Sequence, residues 1–196
     1  AIHSDVAPGF FFSPVRKMKK IAYSGNALRM DALDFGSITT LNGAKYNSKE
    51  IVFHTPAEHI IKGEEKQADM EMEIIYEGVT NGDTNKQVSL SFLFTEVPGK
   101  NSKFFSAFDI VNLPNPINPD PVNLLYEVTI PFIQYEHDPM NPEENPYEDY
   151  ALKAFSFYTY QGSLSAPPCT ERTIRYVASD PIPLSSTVIE FFKDSL

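Results

Sequence analysis

The sequence predicts a mainly β fold with short helical pieces, of the α+β kind, and three observations carry this. Residues 87–96 alternate Val88, Leu90, Phe92 and Phe94 against Ser89, Ser91, Leu93 and Thr95, the period-two signature of a half-buried strand. Sixteen Pro are scattered over 196 residues, and each removes a backbone donor and fixes φ, which favours many loops. Phe (15) and Tyr (10) are frequent while Trp is absent, a vocabulary that suits pleated surfaces.

Taken in order, residues 1–19 read as an irregular N-terminal extension and 20–196 as one domain. Pro8-Gly9 and Ser13-Pro14 punctuate an aromatic cluster, Phe10, Phe11 and Phe12, which needs cover from the domain or from a neighbouring chain. Strand-like runs follow at 20–23 and 34–40, closed by the turn signal Leu41-Asn42-Gly43-Ala44. The runs 50–54 and 69–76 flank a polar excursion, 62–67, that suits a hairpin connection. Pro114, Pro116, Pro119 and Pro121 interleave with Asn, and 138–149 holds Pro139, Pro142 and Pro146 among acidic residues. Both stretches read as ordered loops rather than sheet interior, the second as an exposed acidic loop. Strands return at 155–160 and 173–177. The chain then reaches Pro181-Ile182-Pro183-Leu184-Ser185-Ser186-Thr187, a helix start with a Ser cap ahead of Val188, Ile189, Phe191 and Phe192.

Composition narrows the function. A length of 196 residues is enough for one domain with a sizeable core. The net charge of -10, with only 16 Lys and Arg, provides no basic stripe for phosphates, so nucleic acid is not expected as a partner. The one cationic run, Arg16, Lys17, Lys19 and Lys20, reads as a solvated strand edge, with a docking patch for an acidic partner or lipid headgroups as the other reading. No apolar stretch approaches the roughly 20 residues of a membrane helix. Phosphate loops, CxxC pairs and HExxH are all missing. Ser163 and Ser165 have no base nearby in sequence that would make either a nucleophile.

Two segments carry the chemistry. The first is Ile51-Val52-Phe53-His54-Thr55-Pro56-Ala57-Glu58-His59, followed by Met70-Glu71-Met72-Glu73. The second is Tyr158-Thr159-Tyr160-Gln161-Gly162-Ser163-Leu164-Ser165-Ala166-Pro167-Pro168-Cys169. In this order they resemble the alpha-class carbonic anhydrase family, whose text runs close to F-H-F-H-x-P-S-E-H, then M-E-x-H, then Y-x-Y-x-G-S-L-T-T-P-P-C. The C-terminal 181–192 is similar to the family's P-I-P-I-S-S-E-Q-L-x-x-F. The resemblance spans roughly 20–192 and implies a central, twisted, largely antiparallel sheet of about ten strands with short peripheral helices.

In a strand, residues i and i+2 share a face, so the family's H-x-H aims two imidazoles at one point and a neighbouring E-x-H delivers the third. Three His and a water make the open tetrahedral zinc site that generates hydroxide near neutral pH. Here those positions read Val52, His54 and Glu73, and valine coordinates nothing. The resemblance therefore implies a catalytically inactive member, with no cofactor, retained as a structural or protein-binding module among other protein subunits. Glu58 matches the acid that orients a gatekeeping threonine, Ser165 stands at that threonine and Ala166 at the next. Asn26, in Ser24-Gly25-Asn26-Ala27, stands where many members carry a proton-shuttling His, and Asn relays no protons near neutral pH. His59 matches a structural histidine. Arg175 takes the place of a tryptophan.

Glu71 and Glu73 share one face of one strand, and a buried carboxylate needs a partner. His54 and Arg175 are the cations expected there, making the former metal site a sealed polar cluster. His54 also fits a satisfied core histidine. Cys169 stands where secreted members place half of a disulfide, but the chain has one Cys, which leaves a free thiol or an intermolecular bond. Two alternatives stay open: an active enzyme whose rearranged zinc site adds His59 to His54 and Glu73, and a small-molecule binder that uses the emptied cone.

Overall fold

The computed structural model describes the chain apart from residues 1, 5–8, 13–18, 34, 41, 62, 64–66, 80–85, 101, 103, 126–155 and 164–172. The described residues form twelve strands, one helix and two short 3-10 turns. The strands are β1 (Ile2–Ser4), β2 (Gly9–Phe12), β3 (Lys20–Tyr23), β4 (Leu28–Asp31), β5 (Gly36–Thr39), β6 (Lys45–His54), β7 (Met70–Gly78), β8 (Gln87–Glu96), β9 (Val122–Asn123), β10 (Phe157–Gly162), β11 (Thr173–Ala178) and β12 (Ile182–Leu184). The helix is α1 (Ser186–Ser195). All twelve strands join one sheet in the order β1-β10-β11-β8-β7-β6-β4-β3-β9, with β12 on β8 and β5 linking β2 to β6. Pairing is antiparallel except where β11 and β12 meet β8. The largely antiparallel expectation holds, and the strands beyond about ten are short edge pieces.

Two N-terminal strands correct the irregular reading of 1–19. β1 pairs with β10, and β2 places Phe10 opposite Ile38, Phe11 opposite Ser37 and Phe12 opposite Gly36 on β5. Gly-Phe-Phe-Phe has strong strand character, and the Pro8-Gly9 break lies ahead of it, so the free ladder of β5 overrides the local loop signals.

A bulge in β6 decides which residues reach the site. Its register on β7 shifts between Ser48 and Glu50, so two residues oppose one and the side-chain alternation changes phase. Tyr46 faces the main core ahead of the bulge, and Ile51 and Phe53 face it afterwards. Val52 and His54 are thereby turned to the opposite face. On β7, Met70, Met72, Ile74 and Tyr76 enter that core, leaving Glu71, Glu73 and Ile75 beside Val52 and His54.

The main core is aromatic. Phe53 packs against Phe105, Phe108 and Phe192 with ring centroids 6.1, 5.6 and 5.2 Å apart, within the range of favourable edge and offset contacts. Phe105 and Phe108 belong to the first 3-10 turn and its end, and Phe192 comes from α1. The expected Ser cap is corrected in part: Ser185 occupies the N-cap position with φ -58° and ψ 135°, but its side chain makes no capping bond. Burial of Ile189 and Phe192 holds the helix instead.

β8 also departs from expectation. Both of its faces are buried, with Ser89, Ser91 and Leu93 as covered as Val88, Leu90, Phe92 and Phe94. A thinner second layer explains this: Ala57, Ala68, Leu93 and Val177 form one small apolar cluster, and Ala27, Val52 and Ile75 another. The 114–121 stretch is free of strand and helix as expected, with Ile117 96 % exposed on it. The acidic 138–149 loop lies outside the described residues. Among the described residues no helix is long and apolar enough to cross a membrane.

Candidate functional site

The second face of the sheet brings the singled-out residues together. Val52 lies directly opposite Glu73 and His54 directly opposite Glu71 across the β6–β7 ladder. Glu71 and Glu73 are fully buried, His54 and Arg175 nearly so. Two carboxylates in this setting are tolerable only with partners.

Glu71 is held by three hydrogen bonds. One carboxylate oxygen accepts backbone N–H groups from Glu58 and His59, each at 3.0 Å. The other accepts from Nδ1 of His59 at 2.6 Å, and Nε2 of that ring lies 2.7 Å from the Tyr160 hydroxyl. Burial pushes the Glu71 carboxyl upward, but hydrogen bonds and charge from His59 outweigh it and lower the pKa from 4.5 to about 2. Burial raises the Tyr160 hydroxyl above its ordinary value, opposed by Arg175 and reinforced by Glu71, Glu73 and Glu58. Tyr160 therefore stays protonated at neutral pH.

Glu73 meets Arg175. Nη2 of the guanidinium lies 2.8 Å from its Oε1, with both side chains buried. The contact is a buried ion pair. Nη1 donates to the Ser163 carbonyl at 2.6 Å, and the guanidinium lies 6.0 Å from the centroid of the Tyr160 ring, at the outer limit of cation–π attraction. Of the two cations expected beside Glu73, Arg175 takes the place. His54 instead has Nδ1 3.4 Å from the half-exposed carboxylate of Glu58. Val52 packs with Ala27 and Ile75. Among the described residues no group of three or more His, Cys, Asp or Glu is arranged to hold a metal ion.

The family model for eukaryotic-type carbonic anhydrase matches residues 12–196. The chain belongs to the eukaryotic-type carbonic anhydrase family. A carbonic anhydrase of Neisseria gonorrhoeae is 25% identical over 156 residues, which is 79% of this chain and 50% of that protein. A dioscorin of Dioscorea polystachya is 27% identical over 151 residues, 77% of this chain and 44% of its own length. The chain thus spans about half the length of the curated relatives it matches. Among solved structures, a fungal alpha carbonic anhydrase from Aspergillus oryzae superposes with a TM-score of 0.70 at 22% identity, over 93% of this chain and 68% of that one.

Within this carbonic anhydrase fold, the sheet gathers Val52, His54, Glu71 and Glu73 on one face, and the bend after β6 brings Glu58 to His54. Asn26 is exposed in the bend between β3 and β4, next to Ala27, which packs with Val52. Ser165, Ala166 and Cys169, and with them the pairing expected between Glu58 and Ser165, fall outside the described residues. The sequence reading passed over Tyr160. Its signal was there, since Tyr158 and Tyr160 alternate with Thr159 and Gln161, but a partner 101 residues away in sequence leaves no local mark.

Proposed function

We propose that this chain is a carbonic anhydrase family member without carbonic anhydrase activity, kept as a structural or protein-binding module within a larger assembly. The observation that carries the reading is the Glu73–Arg175 ion pair, set opposite the donor-free side chain of Val52. A zinc ion needs three protein donors around an open position. The three positions here supply an isopropyl group, an imidazole beside Glu58, and a carboxylate already facing a guanidinium. This donor set does not fit zinc. A rearranged site that recruits His59 has little support, because both ring nitrogens of His59 are engaged by Glu71 and Tyr160. The packing of Val52 with Ala27 and Ile75 speaks against an emptied cone that binds small molecules.

The purified protein is expected to contain well under one zinc per chain by elemental analysis and to leave carbon dioxide hydration at its uncatalysed rate. Stoichiometric zinc with measurable turnover defeats the reading. For the module role, native purification should yield an assembly that buries the 114–121 loop or the β2 region over about 1,000 Å² or more. A monomer with both surfaces solvated removes that half of the proposal.

A further inference from the structure

Arg175 and Glu73 sit on strands that do not touch: β8 runs between β11 and β7. At a strand spacing of about 4.8 Å, the side chains of Arg175 and Glu73 together must span roughly 10 Å of sheet. It passes over the shortest side chains of β8. Arg175 is registered with Ser89 and Glu73 with Ser91, and both serines are fully buried. A leucine or phenylalanine at either place would block the crossing. On the β10 side the guanidinium is anchored by the Ser163 carbonyl and flanked by Tyr160. One positive charge thus sits inside the sheet face, fixed by three strands and closed off from water.

We propose that the Arg175 guanidinium is a built-in cation that stands in for a metal ion: it neutralises Glu73 and braces β7, β8 and β11 across the face where the family's metal would otherwise sit. This rests on the reading of the site as one that does not hold zinc. Arginine suits the task because its charge is permanent and its planar fork can meet a carboxylate and a carbonyl at once. The pair works as a unit, since removing one member strands a buried charge, whereas removing both leaves an apolar layer continuous with Val52, Ala27 and Ile75.

The test is a double-mutant cycle read by thermal unfolding of the full chain. Arg175→Met and Glu73→Leu alone should each lower Tm by about 6–20 °C in a chain of this size. The combination, Arg175→Met with Glu73→Leu, should recover to within roughly 5 °C of the unaltered protein. Singles near the unaltered Tm, or a double variant that loses the sum of the two, overturn the proposal. If a single variant aggregates, a soluble and folded double is the expected result and an aggregated double overturns it. Zinc found in the unaltered chain strikes instead at the proposed function, so the two failures are separable.

Discussion

Replacing Glu71 with leucine is expected to cost about 3–5 kcal/mol of folding free energy. The size follows from what is stranded. Two backbone N–H groups, of Glu58 and His59, lose their acceptor, and Nδ1 of His59 loses its own. Each unsatisfied buried group costs about 1–3 kcal/mol. Denaturant unfolding at neutral pH measures the sum. The same carboxylate marks the acid limb of stability. Its folded pKa, about 2, lies below its ordinary 4.5, so its contribution is fully present above pH 4.5 and is lost as the pH falls from there toward 2. The shift corresponds to roughly 3 kcal/mol. Stability of the unaltered chain should therefore drop across that window, and the Glu71→Leu variant should lack this part of the drop. An unchanged acid limb in the variant would falsify the role given to Glu71.

Placing imidazoles at positions 52 and 73 is expected to create a zinc site. The variant carrying Val52→His, Glu73→His and Arg175→Leu places two new imidazoles beside His54 and removes the competing cation. Val52 and Glu73 are directly opposed in register and Val52 and His54 share a face, so the three rings converge by strand geometry alone. Loss of a residue that merely orients a metal ligand costs about 10- to 100-fold in metal affinity; two added donors should therefore tighten zinc binding by roughly 10³-fold or more over the unaltered chain. Competition with a chromophoric chelator reads this directly. Retaining Arg175 in the otherwise identical variant should weaken the gain, because a fixed guanidinium repels a divalent ion. Equal affinity with and without Arg175 would contradict the account of that residue.

Much of this was legible in the sequence where signals are local. The alternation of β8, the paired motifs around His54 and Glu73, and the final helix all rest on neighbours a few residues apart. Even the need of Glu73 for a cation followed from burial and charge. What escaped notice depends on partners far along the chain. The first half of β6 was missed because the bulge near Ser48 breaks the period that marks a strand. β12 was absorbed into a helix start, since Ile182-Pro183-Leu184 becomes a strand only through its parallel pairing with β8. The aromatic residues 104–108 have no strand or helix period, and they matter because they fill the space beneath Phe53.

The placement of β8 has a consequence for how the chain is made. One side of this ladder is completed by β7, which immediately precedes it, but the other waits for residues 173–178 and 182–184. Until the ribosome has delivered them, a long strand of Val, Leu and Phe keeps a raw backbone edge open to any passing polypeptide. Newly synthesised molecules should therefore depend on chaperones until residues 173–184 have emerged and paired. Deleting β11 and β12 should produce inclusion bodies instead of a smaller soluble domain.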